Sequence, residues 1–206
     1  MIKLKTYNRA VDNFIKHVAN DCEEREIKLL VSLVEFVNAD SIKSNGYYDD
    51  ANKVLAISIN KPMEEWLRIF VHEYAHSLQD KEKCKPWVVG SPACTSFFRW
   101  YDGQISLTKK ELTKCCRQTQ LLELDCERRA LQLIKKFKLP LDPKEYARKA
   151  SAYVYFYPFV KKMKKWYKIG HEPYRNKKIL ALMPDNLDGR YTNVNKRLME
   201  LYMECV

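Results

Sequence analysis

Residues 54–79 read VLAISINKPMEEWLRIFVHEYAHSLQ, and this stretch decides how the rest of the chain is organised. Val54-Leu55-Ala56-Ile57-Ser58-Ile59 is a short run rich in β-branched side chains, the pattern of a strand. Asn60 is then placed to cap a helix, with Pro62 in its first turn, where the missing N–H costs nothing. The pattern predicts helix from about Met63 to Gln79. At about 100° per residue, Met63, Leu67, Phe70, Tyr74 and Leu78 share one side. His72 and His76 point almost opposite, beside Glu65, Arg68 and Gln79. The histidines therefore lie outside the apolar stripe of their own helix.

Upstream, Val11 to Val37 reads as helix, with a break near Asn20-Asp21. Leu29 to Val37 equally fits a strand. Ser44-Asn45-Gly46 and Asp49-Asp50 are turn formers on either side of Tyr47-Tyr48. Downstream, Lys81 to Leu107 contains Pro86, Gly90 and Pro92 and reads as loop, with a hairpin expected around Asp102-Gly103. Thr108 and Glu111 have capping-box spacing and open a long helix to about Lys138. Asp142, Pro143 and Glu145 start another, with Pro158 kinking it or opening a further segment to Lys168. The sum is an α+β chain, mostly helical with a small sheet. With no repeat or low-complexity linker, residues 1–206 are expected to form one domain.

His72-Glu73-Tyr74-Ala75-His76 spells HExxH. Residues four apart on a helix share a face, so two imidazoles can offer nitrogen to one cation. Glu73, beside the first of them, is placed to take the proton of an attacking water and pass it to a leaving nitrogen. Sites of this kind use three protein ligands. A third ligand at short range is missing, since a metzincin pattern needs Gly at 79 and His at 82, where this chain has Gln79 and Glu82. Cys22 and Cys84 are thiols without a supporting motif.

The stronger candidate is Glu123. On the wheel of the long helix, Leu112, Cys115, Cys116, Thr119, Cys126, Ala130, Leu133, Ile134 and Phe137 form the apolar arc. Glu123 falls inside that arc, Glu127 at its edge and Asp125 on the far side. A buried carboxylate is costly unless paired or bound to metal. Glu123 is thus the expected ligand, Asp125 the runner-up, and Glu127 a support for a histidine through its second ring nitrogen. For stabilising charge on a reacting carbonyl, the candidates are Tyr153, Tyr155, Tyr157, Tyr174 and His171, with Tyr157 and His171 first.

HExxH followed by a helical Glu123-Leu124-Asp125-Cys126-Glu127 segment resembles the gluzincin metallopeptidases, including thermolysin-like proteins. It also resembles zincin-like proteins encoded by tailed bacteriophages. The resemblance spans about Val54 to Phe137 and implies a zincin-like fold with one zinc ion. It further implies hydrolysis of a protein or peptide substrate, with Glu123 as third ligand and Glu127 as the residue that supports a histidine. Cys126 stands where the family has a small residue, and Glu127 where it has Asp or Asn.

The bulk composition sets the remaining expectations. No continuous apolar run occurs near Met1 or later, so no signal peptide or membrane anchor is read, and a cytoplasmic location is expected. Seven cysteines without a CxxC pair suit a reducing compartment, which in a phage protein is the host cytoplasm. A formal charge of +11 favours acidic partners, nucleic acid included. Lys161 to Lys168 interleaves lysines with Trp166 and Tyr167, a pattern that suits a phosphate backbone or a solvated helix face. Two rivals follow: a nucleic-acid-associated protease similar to the SprT-like group, which needs a third histidine not found at a fitting distance, and a zincin-fold binding protein without turnover.

Overall fold

A computed structural model describes residues 6, 8–39, 42–192 and 194–206. It is mostly helical with a small sheet, an α+β structure. The chain divides into two compact units, Met1–Glu82 with Arg129–Asp142, and Lys83–Arg128 with Pro143–Val206.

In the first unit, helix α1 (Arg9–Glu24) is capped by Asn8, whose side chain accepts from the N–H groups of Ala10 and Val11. It ends without glycine. Glu26 takes a left-handed φ of 55°, and the N–H groups of Ile27 and Glu26 return to the carbonyls of Cys22 and Glu23. This satisfies the helix's last carbonyls and stops it firmly. The segment that fitted either helix or strand is accordingly strand β1 (Lys28–Ser32).

Strands β2 (Val37–Ala39) and β3 (Ile42–Ser44) pair antiparallel. Strands β4 (Gly46–Asp49) and β5 (Val54–Ser58) complete a three-stranded sheet in the order β1-β5-β4. β1 runs parallel to β5 and β4 antiparallel to it. The central strand buries Leu55, Ala56, Ile57 and Ser58, hence its nearly continuous apolar sequence.

Helix α2 (Met63–Glu82) follows β5. The N–H of Trp66 bonds to the Pro62 carbonyl, so Pro62 rather than Asn60 stands at the helix entry. Leu67, Phe70, Val71 and Tyr74 are buried. Phe14 packs its ring edge-on against Phe70, Tyr74 and Phe137, the last at the end of the long helix α4 (Lys109–Phe137).

The second unit corrects the expected loop and hairpin. Lys85–Tyr101 is helix α3. Pro86 lies in its first turn, where no N–H is needed. Gly90 is present because α4 passes too close for a side chain: a Cβ there would lie 2.6 Å from Leu122 Cβ. Asp102-Gly103 ends the helix instead of turning a hairpin. Gly103 has φ +77°, its N–H returns to the Trp100 carbonyl, and that of Gln104 to the Arg99 carbonyl.

Helix α4 starts with the expected capping box, Thr108 N–H donating to Glu111 Oε2 at 2.8 Å. Helices α5 (Pro143–Val154) and α6 (Phe156–Met163) are separated just before Pro158. Proline has no N–H for the Val154 carbonyl, and Gln120 Nε2 donates to that oxygen at 3.1 Å instead. Left-handed Lys164 stops α6 short of the expected Lys168. A 3-10 turn (Pro173–Arg175) and helices α7 (Lys177–Leu180) and α8 (Lys196–Met203) complete an aromatic core around Phe97, Phe156, Tyr157, Phe159 and Tyr202.

Candidate functional site

In the first unit, α2 carries His72, Glu73 and His76, all partly buried. One helical turn brings the two imidazoles to a centroid separation of 4.7 Å, nearly perpendicular. His76 Nδ1 lies 2.8 Å from Gln79 Oε1. An amide oxygen only accepts, so this bond places the proton on Nδ1 and the lone pair, the part of the ring that can bind a cation, on Nε2. Gln79 is fully buried, which fixes this support in place.

The last turns of α2 are braced from three sides. The Arg25 guanidinium donates to the Ser77 carbonyl at 2.6 Å and to Asp21 at 2.8 Å. Lys81 reaches the other Asp21 oxygen at 2.8 Å. Tyr48 of β4 donates to Asp80 at 2.7 Å. Further along β4, a Cβ on Gly46 would stand 2.8 Å from Ile69, 3.0 Å from the Ala56 carbonyl and 3.2 Å from Glu73 Cγ. Strand and helix approach so closely beside Glu73 that glycine is required.

In the second unit, Glu123 and Glu127 on α4 are 6% and 4% exposed, as their wheel positions require. Asp125 is less buried, and the Cys84 thiol lies 3.8 Å from it. Tyr146 of α5 donates a short bond of 2.5 Å to Glu127. Around Glu123 stand Cys94, Tyr153 and Tyr157. Burial first, and then the Glu123 charge, push all three far above their ordinary ionisation range, so each stays protonated at neutral pH. The Tyr153 and Tyr157 hydroxyls are 2.8 Å apart. Tyr157 is buried within the aromatic core. His171 is exposed, on a turn lining a separate cavity of about 210 Å³ with Glu172, Arg175 and Glu204.

The expected residues thus fall in two sets: His72, Glu73 and His76 in one unit, and Glu123, Asp125, Glu127, Tyr157 and His171 in the other. None of the seven cysteines forms a disulfide. Cys126, one turn along α4 from Glu123, is fully buried.

Comparisons with protein-family models, with curated proteins and with solved structures gave no match. Among the described residues no helix is long and apolar enough to cross a membrane.

Sequence reasoning passed over Gln79, Tyr146 and Gly46. Gln79 was legible, since a side chain three residues after His76 on a helix lies beside it. Tyr146 and Gly46 carry no local signal, because what makes them matter is a partner on another element.

Proposed function

We propose that this chain is a zinc-dependent peptidase with a zincin-like fold, acting in the cytoplasm on a protein or peptide. His72, His76 and Glu123 hold the ion and Glu73 is the general base. The observation that carries the reading is the imidazole pair 4.7 Å apart on one turn of α2, with the second ring held through Nδ1 by Gln79. Two imidazoles and one carboxylate are a donor set that suits zinc and leaves one position for the reacting group.

When bound, zinc supplies a Lewis acid that polarises the carbonyl and makes water nucleophilic at neutral pH. Glu73 accepts the proton of the attacking water and delivers it to the leaving nitrogen. Gln79 keeps His76 in one tautomer. Glu127, already bonded to Tyr146, is the second carboxylate in line to support a histidine. Tyr157, whose hydroxyl is 2.8 Å from that of Tyr153, and the exposed His171 are the candidate donors to the developing oxyanion.

Metal analysis and hydrolysis of a peptide library test the reading on wild type and Glu73→Gln. Wild type is expected to hold one zinc per chain and to cleave. Glu73→Gln is expected to keep the zinc and lose about 10²–10⁴-fold in rate. Full activity in Glu73→Gln removes the base assignment. Zinc bound without any cleavage by wild type leaves a binding protein.

A further inference from the structure

The charge of this chain is unevenly distributed. The second unit holds 22 of the 37 Lys and Arg but only 11 of the 26 Asp and Glu, leaving 15 of each in the first. The first unit is formally neutral, and the whole surplus of +11 lies in the second.

Part of that surplus lines a groove of about 500 Å³ within the second unit. Its walls include Lys109 and Thr113 from the first turns of α4, Lys161 and Lys162 from α6, and Thr192, over a floor that includes Leu112. No carboxylate is among its lining residues. Glu111, on the same turn as Lys109, is drawn back to its capping partner Thr108 at 2.7 Å. Glu200 faces Arg197 at 3.7 Å. Among the described residues, Lys109, Lys161 and Lys162 make no ion pair.

Three ammonium groups around one concavity, with the nearby acids engaged elsewhere, create a positive potential that an extended anion relieves. Lys110 and Lys114 are exposed on the same turns of α4 and carry the charge beyond the groove, so the complementary ligand is a polyanion rather than one small ion. At about 500 Å³ the groove is small beside a double helix, so a single phosphodiester strand is the better match for it. No aromatic ring lines it, so contacts fall on phosphate and sugar, with little preference among bases. A membrane surface is less well matched, because it calls for exposed apolar side chains on a convex face.

We propose that this groove binds single-stranded nucleic acid through its phosphates. The proposal is independent of the peptidase reading, and its readout involves neither zinc nor Glu73.

The test is fluorescence anisotropy of the full chain with a labelled thymidine oligonucleotide about 20 nucleotides long, between about 50 and 200 mM salt. Each phosphate neutralised on a single strand contributes a slope of about −0.7 in log K against log salt. A Lys109→Ala/Lys161→Ala/Lys162→Ala variant is expected to flatten the slope by about 2 and weaken binding at least about tenfold. Lys109 and Lys162 are exposed and Lys161 is half-buried, and an unchanged circular dichroism melt confirms folding. A control variant, Lys85→Ala/Lys168→Ala/Lys177→Ala, keeps most of the affinity. The proposal fails if wild type does not bind the oligonucleotide at low salt, or if the control loses as much as the groove variant. Tighter binding to duplex than to single strand also overturns it, as does binding to phosphatidylserine vesicles without binding to the oligonucleotide.

Discussion

The two units stabilise their buried polar groups by different chemistry. In the neutral first unit the buried carboxylate, Asp21, is held by ion pairs, between Arg25 and Lys81 at 2.8 Å each. In the second, phenols do it. That unit holds nine of the 13 tyrosines. Tyr146 donates to Glu127, Tyr202 to the Ala152 carbonyl at 2.8 Å, and Tyr191 pairs with Ser151 at 2.7 Å. Charges on a helix surface tolerate solvent, but a carboxylate sunk in an aromatic core needs neutral donors that stay protonated. The imidazoles are therefore partly buried and braced, while the carboxylates are enclosed.

The sharpest break between the units is expected from paired isosteric changes. Glu123→Gln keeps the shape of the second unit and removes the charge proposed to complete the zinc site. Zinc affinity should fall by more than the roughly 10–100-fold typical of losing a supporting residue. Glu73→Gln should leave zinc affinity unchanged. Competition titration against a chelator separates the two. Equal zinc affinity in both variants removes Glu123 from the ligand set. If Glu123→Gln keeps zinc and its cobalt form shows a thiolate charge-transfer band, a cysteine is the ligand instead.

The next effect compares the supports. Gln79→Leu deprives His76 Nδ1 of its acceptor and should weaken zinc about 10–100-fold. Tyr146→Phe removes one bond to a buried carboxylate and should cost about 1–3 kcal/mol of stability in urea unfolding. A larger effect of Tyr146→Phe than of Gln79→Leu on zinc affinity would reverse the roles assigned to the two units.

What could be read from the sequence follows the range of each interaction. The HExxH face, the strand before it and the capping box at Thr108 depend on neighbours within four residues, and all are present in the structure. Burial of Glu123 was legible because helical periodicity places it among Cys116, Thr119, Cys126 and Ala130. Helix α3 was hidden, because Pro86, Gly90 and Pro92 read locally as loop. Only contact with α4 explains Gly90, and only the end of a helix explains Asp102-Gly103. The division into two units was also hidden, since α4 is one unbroken pattern whose residues belong to both.

Two glycines offer a smaller, matched test. A Cβ on Gly90 meets Leu122 Cβ at 2.6 Å and the Gln118 carbonyl at 3.1 Å, both held by helix backbone. A Cβ on Gly46 meets Ile69 Cγ2 at 2.8 Å and the Ala56 carbonyl at 3.0 Å, so its closest contact is slightly longer than the one at Gly90. Alanine raises helix propensity at position 90 by about 1 kcal/mol, yet overpacking costs about 1–3 kcal/mol. Gly90→Ala should therefore destabilise, and more than Gly46→Ala. Hydrogen exchange should locate the first loss in the second unit and the second in the first. A stabilised Gly90→Ala would mean that α3 and α4 separate easily.

The smallest effect concerns His17, which lies against Phe137 and 3.3 Å from the Tyr74 hydroxyl. Burial, and then the positive charge of Lys136, lower its ionisation below the ordinary 6.5, with Lys81 adding to the shift and Asp21 and Glu24 opposing it. The unfolded chain therefore binds the proton more readily than the folded one. In the window between the folded value and 6.5, stability rises with pH. The contribution is complete above 6.5 and is lost as pH falls through the folded value. Melting of the zinc-free chain between about pH 5 and 8, wild type against His17→Gln, reads the difference directly. Wild type should lose ground relative to the variant as the solution is acidified. The opposite slope would mean that Asp21 and Glu24 outweigh burial, and that the first unit stabilises a charged imidazole beside its helix.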